Sequence, residues 1–209
     1  MLSYLAAALP AGTSAAARLL ALQCALRMNT RMQVRLPKGV LRSLRLNTTP
    51  DPWRELEQAR WLRTVPGNAA NEIAAELLDV TVLGQAPARP DRRHAADWAL
   101  RAGSSCAAGA IGALPQLASV YLTAHTDPES SSGLGELDQM ARACGTQPAE
   151  LPAILDRLVA TGLLGSWQAC PASGDLQWTL VRGTEINGRT RAARQRPIRW
   201  ATPKPAWPV

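Results

Sequence analysis

Between residues 27 and 63 the chain sets nine basic side chains against three acidic ones. Arg27, Arg31, Arg35, Lys38, Arg42, Arg45, Arg54, Arg60 and Arg63 meet only Asp51, Glu55 and Glu57, a balance of +6. A guanidinium presents its donors as a planar fork that fits phosphate oxygens and the edge of guanine, so a cluster of this kind suits a polyanion. Arg42 and Arg45 stand on the side of a helix-like stretch opposite Leu41 and Leu44, with the Thr48 and Thr49 hydroxyls nearby, which suits phosphate contacts. Arg35 and Lys38 extend the same basic run toward the N-terminus. Arg54 and Gln58 lie one helical turn apart beside Glu57, and Arg and Gln can each bond a base edge in bidentate fashion. Asn68, like Asn71, falls at the tip of an expected hairpin and from there could reach a minor groove; as a turn former it needs no further role.

A second basic group closes the sequence. From residue 182 onward, Arg182, Arg189, Arg191, Arg194, Arg196, Arg199 and Lys204 oppose Glu185 alone, a balance of +6. Arginines interleaved with Trp200 and Trp207 could stack on bases or track a groove, or serve only to solubilise. By contrast, residues 114–165 carry Arg142 and Arg157 against Asp127, Glu129, Glu136, Asp138, Glu150 and Asp156, a balance of −4. The plain alternative for all this arginine is biased codon usage in a GC-rich genome, which leaves a solvated surface. Lys38 and Lys204 are indeed the only lysines among 209 residues.

Other chemistries find little support. No Gly-rich loop with a lysine follows a strand, there is no serine-elbow motif or paired histidine, and few acids neighbour either His94 or His125 in a way that would build a general acid and base. Cys24, Cys106, Cys144 and Cys170 have no C-x-x-C spacing, so neither a zinc centre nor a disulfide framework is expected, and Cys24 and Cys144 read as small core residues. The expectation is therefore a protein that is not an enzyme, with no cofactor and no metal. The apolar start, residues 1–9, lacks the preceding positive charge of a secretory segment, and no stretch is apolar enough to span a bilayer. The reading is a soluble, cytoplasmic chain with net charge +7 and no membrane contact.

The elements that must position these residues follow from periodicity. Residues 14–29 read as a helix capped by Thr13 or Ser14, with Leu19, Leu22 and Leu26 on one face. A short strand is expected at 32–34, then a helix over 37–46 with Pro37 first, and a turn at 47–50. Asp51 caps a third helix from Pro52, with Trp53, Leu56 and Ala59 inward. Strands at 63–65 and 76–83 would close a hairpin, although 72–78 could equally be helical. A Pro- and Ala-rich connector leads to a helix over 91–102 capped by Asp91, with Ala95, Trp98 and Ala99 inward. Beyond it, helices are expected from 114 to about His125, over 136–144 up to Gly145, and from Thr146 through Leu151, Ile154, Leu155 and Leu158, with a polar loop at 126–135. A second hairpin joins 163–168 to 176–181. Residues 183–209 hold few aliphatics and predict a flexible tail or a wrapping arm.

One pattern therefore occurs twice, about 100 residues apart: Leu56-Glu57-Gln58-Ala59-Arg60-Trp61-Leu62 and Leu158-Val159-Ala160-Thr161-Gly162-Leu163-Leu164, each a short helix running into a hairpin after two earlier helices. Residues 52–65 and 154–167 with their hairpins resemble the winged-helix superfamily of bacterial transcription regulators, over 14–83 and 114–182. The resemblance implies a mainly α fold with small β-hairpins, α+β in class: two tandem winged-helix domains and a flexible basic C-terminal tail. It divides the chain into a basic first domain at 1–83, a linker with connecting helix at 84–112, an acidic second domain at 113–182 and the tail at 183–209. It implies duplex DNA as partner, read by Arg35, Lys38, Arg42, Arg45, Thr48, Thr49, Arg54, Gln58 and Asn68, with Arg189, Arg191, Arg194, Arg196 and Arg199 of the tail adding contacts. The acidic third helix of the second domain departs from that pattern and points to a homodimer or protein contact there. Two alternatives remain: a replication initiator of a plasmid or mobile element, and a protein-interaction module of a larger assembly.

Overall fold

The computed structural model describes residues 1–46, 51–66, 71–104, 112–170 and 172–181. Its class is α+β: helices combined with two small three-stranded antiparallel sheets. The first sheet is built from β1 (Gln33–Pro37), β2 (Leu62–Val65) and β3 (Glu72–Leu77), in the order β1-β3-β2. The second is built from β4 (Ser132–Glu136), β5 (Leu164–Ala169) and β6 (Asp175–Leu180), in the order β4-β6-β5. Around the first lie α1 (Leu2–Ala8), α2 (Ala15–Arg27), α3 (Lys38–Ser43), α4 (Pro52–Gln58), α5 (Val82–Gln85) and α6 (Arg89–Ser104). The second is served by α7 (Ala113–Ala124), α8 (Leu137–Cys144) and α9 (Leu151–Ala160), the last entered through a 3-10 turn at Pro148–Glu150.

The run helix, strand, helix, helix, strand, strand is thus made twice, and the backbone repeats in detail. Left-handed residues recur at matched places: Met32 and Ser131 (φ 60° and 59°), Arg45 and Gly145 (54° and 68°), Arg60 and Gly162 (54° and 72°). Each pair belongs to the same hydrogen-bond arrangement. Leu77 N–H donates to Met32 O at 2.9 Å and Leu180 N–H to Ser131 O at 2.8 Å; Trp61 N–H donates to Leu56 O at 3.0 Å and Leu163 N–H to Leu158 O at 3.1 Å.

The two units are joined by helices rather than by a bare connector. Residues 17–26 of α2 and 115–122 of α7 are buried on every side, and α2, α6 and α7 pack against one another. Leu22 and Leu26 enter the core around the first sheet, whereas Leu19 belongs to the core around the second. The sequence places these three leucines on one face; wedged between two cores, α2 has no solvent side and shares its leucines between them. Gln23 inside this junction donates to Ala96 O at 3.2 Å and accepts from Arg27 Nε at 3.0 Å. Ser14 is the N-cap, its hydroxyl accepting from Ala17 N–H.

Arg18 supplies another tie. Its side chain is buried, and the guanidinium donates to the carbonyls of Thr13, Leu5 and Pro10 at 3.1, 3.3 and 2.9 Å, fastening the α1–α2 turn beside Gly145 at the end of α8. Burial pulls its pKa down from the ordinary value, and the three carbonyl oxygens supply the hydrogen bonds that a buried cation requires.

Two strands sit where the sequence does not place them. The second hairpin strand of the first unit spans Glu72–Leu77, not 76–83, because Asp79 holds a turn: its Oδ1 accepts from Thr81 N–H and Oγ, and its Oδ2 from the Tyr4 hydroxyl at 2.6 Å. The β-branched residues at 80–82 therefore form that turn and begin α5. Glu72–Leu77 is strand despite its helical composition because it lies between β1 and β2 and pairs with both. Likewise β4 crosses the expected loop at 126–135. Gly133 makes room for Trp178: a Cβ there would lie 2.2 Å from the indole ring. The expected tail, residues 183–209, lies outside the described residues.

These contacts separate two glycines of like backbone. At Gly145 (φ +68°) a Cβ would lie only 2.4 Å from Thr13 O, whereas at Gly162 (φ +72°) it would meet nothing within 4 Å. Gly162→Ala should cost roughly 1–2 kcal/mol, the left-handed penalty alone, and Gly145→Ala distinctly more, because a backbone carbonyl must also move. Denaturant unfolding of both variants checks this, and equal costs would contradict the packing described.

Candidate nucleic-acid interface

The short helix α3 follows directly from β1, with Leu41 inward and its other side in water. Lys38 and Arg42 fall at i and i+4 along that exposed side, Arg45 follows just beyond the helix in a left-handed conformation, and all three side chains are exposed. Helix α4 begins at Asp51, whose carboxylate accepts from Trp53 N–H at 3.0 Å, and buries Pro52 and Leu56. Arg54 and Gln58 are exposed one turn apart on it, as the spacing predicts. Arg35 stands on the outer face of the first sheet, opposite Ala74. Thr48, Thr49 and Asn68, together with Arg189, Arg191, Arg194, Arg196 and Arg199, lie outside the described residues.

Arg27 and Arg63 are held in ion pairs, the first partly buried and the second exposed. Arg27 pairs with Asp97 and Arg63 with Glu76, each at 2.6 Å. Arg31, Arg35, Lys38, Arg42, Arg45, Arg54 and Arg60 are exposed, as is Arg63. All three acids of the same stretch have structural work. Asp51 caps α4. The Glu55 carboxylate reaches the N-terminal end of α2, accepting from Ser14 N–H at 2.9 Å and from its hydroxyl at 2.8 Å, which fastens α4 to the junction. Glu57 accepts from the Thr64 backbone N–H at 2.9 Å and from the Thr64 hydroxyl. Those two bonds, with Arg54 close by, hold its carboxyl below the ordinary carboxylate range. The result is a surface whose cations project and whose carboxylates are bound to neighbouring backbone and hydroxyl groups.

The second unit reverses this at equivalent positions, matched through the repeated hydrogen bonds of Leu56 and Leu158 and of Leu41 and Ala141. Asp156 stands where the first unit has Arg54, and Val159 and Ala160 where it has Glu57 and Gln58. Asp138 replaces Lys38, and Gly145 and Gly162 replace Arg45 and Arg60; only Arg142 keeps the charge of Arg42. Asp156 accepts from Trp167 Nε1–H at 2.9 Å. Comparison with protein-family models, curated proteins and solved structures finds no match. The interface therefore rests on its own geometry.

Arg60 belongs to the same exposed basic surface, at a position that sequence spacing does not single out. It reads there as the end of a helix, and only the backbone shows it exposed in a left-handed turn directly after α4. Cys24 and Cys144 are buried, which pushes both thiols up, Cys144 to about 12. Among the described residues no group of three or more His, Cys, Asp or Glu side chains gathers, and no helix is long and apolar enough to cross a membrane.

The Glu57–Thr64 link has a pH signature. A carboxyl whose folded pKa is depressed contributes stability above its unfolded value, near 4.5, and loses it as pH falls through the lower folded value. Thr64→Val removes the hydroxyl donor, so it should be less stable than the unsubstituted protein at neutral pH, with the gap closing in acid below pH 4.5. Urea midpoints of the two proteins across pH 3–7 measure this, and a gap independent of pH would show that Glu57 is not the acceptor that matters.

Proposed function

We propose that the chain is a duplex-DNA-binding regulator of two tandem winged-helix units, cytoplasmic and not an enzyme, that grips DNA with the first unit and the basic tail. In that arrangement α4 enters the major groove, Arg54 and Gln58 address base edges, and Lys38, Arg42 and Arg45 hold the phosphates beside them. Arg35 on the sheet extends the contact, and Thr48, Thr49 and Asn68, outside the described residues, are expected to add to it from the sequence alone. The second unit serves a second copy of the chain or another protein.

The observation that carries this reading is the choice of residue at two strained backbone positions. A left-handed non-glycine residue costs roughly 1–2 kcal/mol; the second unit avoids that cost with Gly162, and with Gly145, where the approach of Thr13 O demands glycine as well. The first unit holds Arg45 and Arg60 at the same places, both exposed, beside the helices that carry Arg42 and Arg54. Strain retained where glycine would relieve it points to a use for the side chain, and two arginines flanking a cationic helix pair suit phosphate. A protein-interaction module is the second reading. It is favoured by one observation, that α9 presents Asp156, Val159 and Ala160 where α4 presents Arg54, Glu57 and Gln58; this supports a protein contact for the second unit.

Fragments selected from genomic DNA supply the test. Affinity should fall steeply with salt, by about one unit of log–log slope for each phosphate contact. Arg42→Glu combined with Arg45→Glu should weaken binding on every sequence, whereas Arg54→Ala should cost about 1–3 kcal/mol at one base position and relax preference there. Arg60→Gly should lower affinity while leaving the protein as stable or more so. Equal binding by the double charge reversal and the unsubstituted protein would remove the first unit as the reader.

A further inference from the structure

Helix α9 buries Leu151, Leu155 and Leu158 and packs against α7 and β5. Its other side lies in water, where Ala153, Asp156, Arg157, Val159 and Ala160 are exposed. Ala153, Asp156, Arg157 and Ala160 fall at i, i+3, i+4 and i+7, so they form one stripe along the helix. An alanine closes each end of the stripe, and one anion and one cation stand in its middle. Trp167 holds the anion in place, its Nε1–H donating to Asp156 Oδ1 at 2.9 Å, and a carboxylate can accept further donors. Adjacent residues on a helix do not face each other, and among the described residues Arg157 forms no ion pair.

The order of these groups suits a copy of the same helix. A two-fold axis midway between Asp156 and Arg157 lays α9 antiparallel on its counterpart. Ala153 then meets Ala160 of the partner subunit, and Asp156 stands level with Arg157 of the partner subunit, each contact made twice. Facing alanines permit the short end of the roughly 8–10 Å range of helix separations, with opposite charges across the seam. Val159, a large apolar side chain left exposed, borders the stripe. The first unit lacks this pattern: at the matching places stand Asp51, Arg54, Glu55 and Gln58, with Asp51 capping α4 and Glu55 bound to Ser14. We propose that α9 is a homodimer interface, joining two copies of the chain about this axis through Ala153, Asp156, Arg157 and Ala160. This assigns a surface to the reading on which it rests, that the second unit serves a second copy. The same axis then relates two first units, and a DNA site for the dimer consists of two inverted half-sites.

Sedimentation equilibrium of the full chain, without DNA and over a concentration series, tests the interface. The unsubstituted chain should form a dimer. Arg157→Asp and Asp156→Arg each set like charges across the seam, and a two-fold contact counts each change twice, so each should raise the dimer dissociation constant by about tenfold or more. Mixed in equal amounts, the two variants regain both opposite-charge pairs and should form a heterodimer tighter than either homodimer. Circular dichroism checks that each variant is folded. Should Asp156→Arg fail to fold once Trp167 loses its acceptor, Arg157→Asp and Ala153→Gln decide, the latter by holding the helices apart; both should shift the chain toward monomer. A dimer unaffected by Arg157→Asp, or no gain on mixing, would overturn this interface while leaving a second-copy contact elsewhere on the chain. An unsubstituted chain that stays monomeric at every concentration overturns both. DNA binding reports separately: Arg157→Asp should leave affinity for a single half-site unchanged, whereas Arg42→Glu with Arg45→Glu should lower it.

Discussion

Two helices with no solvent-facing side hold this molecule together. Residues 17–26 of α2 and 115–122 of α7 are buried all round, and each contributes to the other unit's core: Leu19 of α2 joins the second, Val120 of α7 the first. Burying a leucine side chain is worth roughly 1.5–3 kcal/mol, so exchanging such residues couples the two cores energetically. The polar groups caught in the junction are satisfied there, Gln23 by Ala96 and Arg27, and Arg18 by three carbonyls. Breaking the units apart would expose apolar surface and also strand these groups. A fixed relation between the units follows, and the bond from Glu55 to Ser14 carries it outward to α4.

On this shared frame the two units differ at the surface while sharing a backbone pattern. The matched left-handed residues and their hydrogen bonds mark one architecture made twice. In the first copy the carboxylates are drawn into caps and cross-links, leaving a field of exposed guanidinium groups. In the second, Asp138, Asp156, Gly145 and Gly162 take the places of four of those cations, and Arg142 keeps one. Electrostatic attraction to a polyanion acts through just those side chains, so the difference in surface chemistry, more than any difference in fold, separates what the two units can bind.

Much of this is legible in the sequence where a local rule governs. Ser14 and Asp51 cap their helices, Gly145 ends α8 in a left-handed turn, and Leu151, Leu155 and Leu158 bury one face of α9. The basic residues of α3 and α4 are exposed as helical spacing requires. What escapes depends on distant partners. Gly133 reads as loop because its reason, the Trp178 indole above it, lies on another strand. Residues 80–82 read as strand because Asp79's role in the turn shows only with Tyr4 and Thr81 beside it. The withdrawal of Arg27 into a pair with Asp97, and the left-handed backbone at Arg60, likewise need the tertiary structure.

The interlocked helices make both units one cooperative body, and on this the rest depends. Native-state hydrogen exchange across a denaturant series measures it directly, because each amide reports the free energy of the opening that exposes it. The amides of α2 and α7, and those of the most protected strands in both sheets, should converge on a single global opening energy. Exchange of β4, β5, β6 and α7 through a lower-energy opening, while α2 and the first sheet stay protected, would contradict the account.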